Sequence, residues 1–214
     1  MTGLGKQAKV LTDTQLKRAL DYVSTETRFP ERNVAILNLS FRAGLRAKEI
    51  AGLTWEMVTD LEGIVGGKDC ELDVRNVTSK GKHGGRRIPM NSELKKSLEV
   101  LLELETSKDR GTPTSFVVTL AKGSTDLKAR VTSILFLMNG KGRAAQGWFS
   151  KLGFVGATSH SGRRTFITKS ARAVSSVGGS LRDVMELAGH SSLQMTARYI
   201  DPNRESKRKL VEKM

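Results

Sequence analysis

The hydrophobic periodicity of the chain changes twice, and this alternation limits the folds that the chain can adopt. Apolar side chains recur at helical spacing over residues 12–53, and over residues 55–90 they form short runs separated by glycine-containing turns. Helical spacing returns with an amphipathic segment that begins near Asn91. We therefore predict a mixed, mainly α-helical fold with a small antiparallel β-sheet within residues 55–90.

Capping residues and glycines predict where individual helices begin and end. Thr12 and Gln15 have the spacing of a capping box, so the first helix is expected to begin there. A second helix is predicted over residues 31–43, ended by Gly44. Two apolar segments fit either strands or buried helices: 116–118 and 134–138. Later helices are predicted to begin near Gly162 and to span 181–188 and 192 to 199 or 200.

The charge of the chain points to a polyanionic partner. Thirty-six Lys and Arg residues stand against 22 Asp and Glu residues, which gives a net charge of +14. Nucleic acid is the commonest such partner, and aromatic residues make up only 5%, so duplex phosphates are favoured over a single-strand stacking platform. Binding to anionic lipid is the alternative, but no basic amphipathic membrane helix stands out.

Other features of the composition exclude several classes of protein. No apolar run approaches the roughly 20 residues that span a bilayer, and no signal peptide opens the sequence. The single cysteine, Cys70, excludes an internal disulfide and a cysteine-rich metal site. We therefore expect a cytoplasmic protein that has no contact with a membrane.

Side chains suited to phosphate chemistry are concentrated in residues 159–199. Arg163 and its neighbour Arg164 offer guanidinium forks that match phosphate oxygens, and His160 and His190 can donate or accept protons. A tyrosine such as Tyr199 can attack a phosphodiester once the charge of the phosphate is neutralised. Each residue alone is a weak signal, because a lone histidine or tyrosine is usually structural.

Two further candidate sites lie upstream. Arg46 follows a glycine turn at a predicted helix start, three residues before Glu49. A solvated surface ion pair is the usual explanation of that spacing, but an anionic ligand better explains an arginine at a helix N-terminus. Lys80 and Lys82 lie in the basic turn 79–86, which is either a solvated loop or a hairpin tip that reaches a DNA groove.

Taken together and in order, these motifs resemble the tyrosine recombinases, the family of phage integrases, Xer-type resolvases and fimbrial-switch invertases. The similarity extends from about residue 12 to the C-terminus and covers essentially the catalytic domain of the family. The motifs are a first-arginine box at 44–50, a hairpin-lysine box at 79–82, a His-x-x-Arg box at 160–163, and a closing box at 187–191 that precedes Tyr199.

The resemblance implies a role for each matching residue. Tyr199 would attack the scissile phosphate, which forms a 3′-phosphotyrosine and frees a 5′-hydroxyl. Arg46 and Arg163 would clamp the non-bridging oxygens, with His190 as a further donor. His160 would help to deprotonate the tyrosine.

The resemblance also assigns the remaining residues. Lys80 would protonate the leaving 5′-oxygen, and Lys82 competes with it for that role. Glu49 would brace the first arginine or the neighbouring site. Lys82, Arg86 and Arg164 are expected to contact DNA; many members carry histidine in place of Arg164. No metal and no nucleotide cofactor is implied, because the covalent link conserves the bond energy.

The implied fold is the tyrosine recombinase catalytic-domain fold. Residues 1–11 are expected to be a loose lead-in, 12–202 the catalytic domain, and 203–214 a charged C-terminal helix exchanged between protomers. About a dozen residues precede the first helix, so we expect either a naturally short member, like the fimbrial-switch invertases, or a piece of a longer protein that lacks the core-binding domain of the family.

The implied function is site-specific recombination of double-stranded DNA, of the integrase or invertase type found on mobile elements. A homotetramer on paired sites, accessory DNA-bending proteins and association with the nucleoid are expected. The motifs also resemble type IB topoisomerases, so relaxation without strand exchange is one alternative. A DNA-binding regulator that keeps the fold but not catalysis is the other, and the intact set of six catalytic candidates counts against it.

Overall fold

A computed structural model describes residues 7–75, 85–109, 111–119, 125–141, 145–200, 208, 211 and 212. Most of these residues are helical, and within them no helix is both long and apolar enough to cross a membrane. The helices and strands are, in chain order, α1 (Asp13–Thr25), α2 (Pro30–Arg42), α3 (Ala47–Gly52), β1 (Glu71–Val74), β2 (Arg86–Pro89), α4 (Ser92–Thr106), α5 (Leu127–Asn139), β3 (Gly140–Lys141), β4 (Ala145–Gln146), α6 (Trp148–Lys151), α7 (Ser161–Ala173), α8 (Leu181–Ala188) and α9 (Leu193–Ala197).

The predicted helical fold with a small antiparallel sheet is confirmed. Strands β1 and β2 pair antiparallel with Leu72 opposite Ile88, and both of these side chains are buried. One of the short apolar runs within residues 55–90, residues 63–65, is not a strand. Val65 forms only an isolated bridge to Thr59. Positive φ angles at the glycines on both sides of Ile64 and Val65 make this segment a turn.

The helix starts agree with the capping signals. Gln15 N donates to Thr12 Oγ1 at 3.2 Å, and Thr12 N donates to Gln15 Oε1 at 3.1 Å, which completes the predicted capping box. The ambiguous segment 134–138 lies in α5, whereas 116–118 is neither a helix nor a strand, and only Phe116 forms a bridge, to Thr54. The last predicted helix is shorter than expected, because α9 covers only Leu193–Ala197.

Helix α7 joins a large hydrophobic core to a small one. It packs against α2 on one side and α8 on the other. The large core contains the buried side chains of α1 to α6 and of the sheet. The small core is formed by Ile167, Val184 and Ala188, and Tyr199 packs against it. The C-terminal part of the predicted catalytic stretch therefore has its own small core, and it contacts the rest of the protein through α7 and strand β2.

The described part of the lead-in is not loose. Leu11 is only 1% exposed and belongs to the large core, and its N–H donates to Thr165 Oγ1 on α7 at 2.9 Å. Gln7 accepts a hydrogen bond from Arg164. One apolar residue and these hydrogen bonds are enough to hold residues 7–11 along α7. Of the predicted C-terminal helix only three residues are described, and Glu212 N donates to Arg208 O at 3.0 Å, as in an α-helix.

Replacement of Leu11 by alanine is expected to destabilise the whole domain. The loss of buried methyl groups and the resulting cavity should lower the free energy of unfolding by about 2–5 kcal/mol, measured by urea denaturation. Leu61→Ala is the matched control, because Leu61 is fully exposed and its loss should change stability by less than about 0.5 kcal/mol. Equal, small effects of the two substitutions would mean that residues 7–11 are not part of the core.

Candidate active site

Arg163 connects two segments that are far apart in the sequence. Its guanidinium lies on α7 and is 4% exposed. Its Nη1 donates to Gly44 O at 2.8 Å, and its Nη2 donates to Ala188 O. Gly44 has a φ of +64°, and a Cβ there would collide with the ring of Phe166. The backbone conformation and the approach of Phe166 both require glycine at this position.

Each of the two carbonyls that Arg163 binds lies two residues before another candidate. Arg46 follows Gly44, and His190 follows Ala188. Because Arg163 holds both turns, it brings the first-arginine segment and the closing segment to one place. The predicted convergence of Arg46 on the C-terminal half of the site is therefore present in the structure.

Glu49 is the buried anion of this site. Its side chain is fully buried, and it accepts from Arg46 twice, from the main-chain N at 2.8 Å and from Nη1 at 3.2 Å. The first of these bonds caps the N-terminus of α3. The spacing of Arg46 and Glu49 is thus not a solvated surface pair, which was the simplest explanation of it.

Arg86 also pairs with Glu49, in contrast to its predicted contact with DNA. Its Nη1 and Nη2 donate to the two carboxylate oxygens at 3.0 and 3.1 Å. Burial by itself would raise the pKa of Glu49, but the hydrogen bonds and charge of Arg86, followed by the N–H of Arg46, outweigh it and lower the pKa. Glu49 is therefore ionised at neutral pH.

His190 and Tyr199 lie side by side. Their rings stack with centroids 5.5 Å apart, and His190 Nδ1 is 2.9 Å from the buried hydroxyl of Thr196 on α9. The main chain is held as well, because Thr168 on α7 donates its hydroxyl hydrogen to Tyr199 O at 3.2 Å. The nucleophile candidate is therefore positioned by two helices.

A cleft of about 610 Å³ opens beside these residues. His160, which precedes α7, is exposed and lines the wall of the cleft. Arg163 and Tyr199 also line the cleft. The loop before His160 is fixed by Asn139, whose side chain accepts from Ser159 N at 2.6 Å. The remaining polar and charged wall residues are Gln7, Thr158, Arg164 and Arg198.

The local charges affect two of the candidates. Burial first, and then the like charge of Arg46, lower the pKa of Arg163 to about 10, so it stays charged at neutral pH. Burial first, and then the charges of Arg163, Arg46 and Arg86, lower the pKa of His190 to about 4. His190 is thus neutral at pH 7 and can act as a hydrogen-bond donor through one ring nitrogen only.

Three further residues were expected to act at this site. Lys80 and Lys82 lie outside the described residues. Arg164 lines the cleft and is bound to Gln7. Among the residues that the structure describes, no three His, Cys, Asp or Glu side chains are grouped so that they could hold a metal ion.

The family comparison agrees with this arrangement. A model of the phage integrase family matches residues 9–206, nearly the whole chain. This chain belongs to the phage integrase family. A tyrosine recombinase XerC from Roseiflexus castenholzii is 28% identical over 209 residues, covering 92% of this chain and 56% of that protein. A XerC from Bifidobacterium longum subsp. infantis is also 28% identical, over 79% of this chain and 43% of that protein. The chain therefore spans about half the length of these relatives.

Solved structures support the same fold. The XerA recombinase superimposes with a TM-score of 0.69 and 23% identity, covering 96% of this chain and 64% of XerA. The Tn1549 transposon integrase in complex with a circular intermediate DNA gives a TM-score of 0.67 at 21% identity, covering all of this chain and 68% of that one. The fold is that of a tyrosine recombinase catalytic domain.

Several residues of this integrase-family site were not predicted from the sequence. Thr196 stands three residues before Tyr199, a helical spacing that could have suggested that the two side chains lie on one face. Arg198 directly precedes Tyr199 in the sequence, and this adjacency could have suggested that it lies in the cleft. The contacts of Thr168 and Asn139 join distant segments, and no local pattern predicts them.

The lowered pKa of His190 predicts a pH-dependent stability. Between the usual value of 6.5 and about 4, the unfolded chain binds more protons at this residue than the folded protein. The stabilising contribution is therefore complete above pH 6.5 and is lost as the pH falls towards 4. We expect the free energy of unfolding to fall between pH 7 and pH 5 more steeply in the wild type than in His190→Asn.

The free energy of unfolding of both proteins is measured by urea denaturation at pH 7 and at pH 5. The asparagine amide keeps a polar atom for Thr196, and the other two histidines are common to both proteins. Identical pH dependence in the two proteins would mean that the pKa of His190 is not lowered.

Proposed function

We propose that this chain is a site-specific DNA recombinase that cleaves and rejoins duplex DNA through a 3′-phosphotyrosine at Tyr199. One observation carries the proposal: Arg163 brings the segments of Arg46 and His190 together, and the ring of His190 stacks on Tyr199. A phosphodiester in this cleft would meet Arg163, His160 and the phenol of Tyr199, and the ring of His190 lies against that phenol.

The proposed reaction exchanges one phosphoester for another. The oxygen of Tyr199 attacks phosphorus, the bond to the 5′-oxygen breaks, and the 3′-phosphate remains on the enzyme. His160, exposed in the cleft, assists removal of the phenolic proton. Arg46 and Arg163 bind the non-bridging oxygens, on which negative charge builds up. Rejoining is the same step in reverse, with a 5′-hydroxyl as the nucleophile.

Three residues complete the proposed machinery. Lys80 gives a proton to the leaving 5′-oxygen, and Lys82 is the alternative donor. His190 donates one hydrogen bond to the phosphate from Nε2, provided that Nδ1 accepts from Thr196. The neutral state of His190 suits this role, because a neutral imidazole has a single N–H to direct.

Duplex DNA is the proposed substrate and partner. The net charge of +14 favours binding to phosphates, and Arg164 and Arg198 extend the positive charge of the cleft beyond the reacting phosphate. XerH and the Tn1549 integrase, which share the fold, were solved bound to DNA. We further propose a homotetramer on paired sites, with residues 203–214 exchanged between protomers and accessory DNA-bending proteins assisting, in association with the nucleoid.

Two other functions use the same fold. Relaxation of DNA without strand exchange would need the same cleavage step, so only a two-site recombination assay separates it from recombination. A DNA-binding regulator has no need for a tyrosine stacked on a histidine beside buried arginines, which is why the observations favour an enzyme.

A covalent protein–DNA adduct is the expected product on a nicked duplex, because loss of the short strand beyond the nick prevents rejoining. Nicked duplexes with a randomised central segment serve as the probe, and adducts are detected on a denaturing gel. The wild type should form the adduct and Tyr199→Phe should not. An adduct of equal yield with Tyr199→Phe would contradict the assigned nucleophile, and its absence with every sequence would favour the regulator.

A further inference from the structure

Arg86 uses all three of its donor nitrogens inside the protein. Besides its two bonds to Glu49, its Nε donates to Leu187 O at 3.0 Å. The side chain is 11% exposed, so little of the guanidinium faces solvent. These bonds fix the guanidinium within the protein, and only the second N–H of Nη1 and of Nη2 is left for another partner. Arg86 therefore connects strand β2 to α3 and to the end of α8.

The turn after α8 is shaped to admit this guanidinium. Gly189 has a φ of +59°, and a Cβ placed on it would lie 2.9 Å from Arg86 Nη1. Glycine thus satisfies both the left-handed backbone and the close approach of Arg86. The next residue is His190, so the position of Arg86 bears directly on the segment that carries this histidine.

The charges give Arg86 a second role. Glu49 is ionised and fully buried, and such a carboxylate requires a cationic partner. Arg86 makes two hydrogen bonds to the carboxylate of Glu49, whereas the guanidinium of Arg46 makes only one, at 3.2 Å. The remaining donors of Arg46 stay available for an anion. If Arg86 were absent, Arg46 would be the nearest cation on its own helix to neutralise Glu49.

We propose that Arg86 is a positioning residue for phosphate cleavage. Its pair with Glu49 frees Arg46 to bind the phosphate, and its bond to Leu187 holds the turn that carries His190. This inference rests on the proposed function, because it assigns Arg46 and His190 to the phosphate. It predicts that the loss of Arg86 slows the cleavage step, and that removal of the charge of Glu49 restores this step.

The test is Arg86→Met, assayed on the nicked duplex that the wild type cleaves best. The rate of adduct formation at saturating protein should fall by about 10- to 100-fold, the usual effect of losing a residue that orients a catalytic group. The diversion of Arg46 to Glu49 costs at most one phosphate contact, so the slope of log affinity against log salt should fall by no more than about 0.9. Addition of Glu49→Gln should restore both this slope and the rate.

Arg87→Met is the matched control. Arg87 follows Arg86 on β2, is exposed, and its removal costs the chain the same charge without disturbing Glu49. Its rate of adduct formation on bound DNA is expected to equal that of the wild type. Both variants are first compared with the wild type by circular dichroism and thermal unfolding.

Two rescue variants separate positioning from a general loss of structure. Arg86→Lys keeps a cation beside Glu49 and should recover part of the rate, and it replaces Arg86→Met if the latter does not fold. Addition of Glu49→Gln to Arg86→Met removes the anion that competes for Arg46 and should also raise the rate above that of Arg86→Met alone.

Distinct results would overturn the proposal. A wild-type rate in both Arg86→Met and Arg86→Lys would remove the positioning role while leaving the recombinase proposal intact. A loss of affinity and salt slope in Arg86→Met that Glu49→Gln does not restore would make Arg86 a DNA contact, as first predicted from the sequence. No adduct with the wild-type protein would instead reject the proposed function, and this inference with it.

Discussion

The structure of this site depends on a buried charge. Arg163 is almost completely shielded from water, and its hydrogen bonds reach Gly44 and Ala188, which are 119 and 25 residues away in the sequence. A buried cation without partners is strongly destabilising, so the turn after α2 and the end of α8 must both be in place when α7 packs. The same geometry brings together the segments of Arg46 and His190. The contacts that stabilise the packing of α7 therefore also hold the site together.

The balance of charge around Arg163 suits the proposed binding of a phosphate. Three arginines surround one carboxylate, Glu49, so the group keeps a surplus of positive charge. Burial, and then that surplus of charge, oppose a further proton on His190, whose pKa is lowered to about 4. A phosphodiester would offset the surplus and receive one directed hydrogen bond from a neutral histidine. Tyr199, stacked on that histidine and held through its backbone by α7, would then face the phosphate.

Local patterns in the sequence predicted the elements well and the contacts between them less well. Helical periodicity and the Thr12 capping box depend on neighbouring residues, and the structure agrees with both. The burial of Glu49 could not be predicted, because its second partner, Arg86, is 37 residues away. Leu11 was assigned to a loose lead-in for a similar reason, since its partner on α7 is 154 residues away. The order of motifs along the chain indicated which residues converge, but not the hydrogen bonds that hold them.

The most direct test of the account is the identity of the residue that becomes bonded to DNA. The chain contains only two tyrosines, and after digestion with nuclease and trypsin they fall in separate peptides, 19–28 with Tyr22 and 199–204 with Tyr199. Mass spectrometry of the trapped adduct should find the nucleotide mass on peptide 199–204. A nucleotide on the Tyr22 peptide, or on any residue other than Tyr199, would contradict the central claim that the stacked tyrosine of this cleft is the nucleophile.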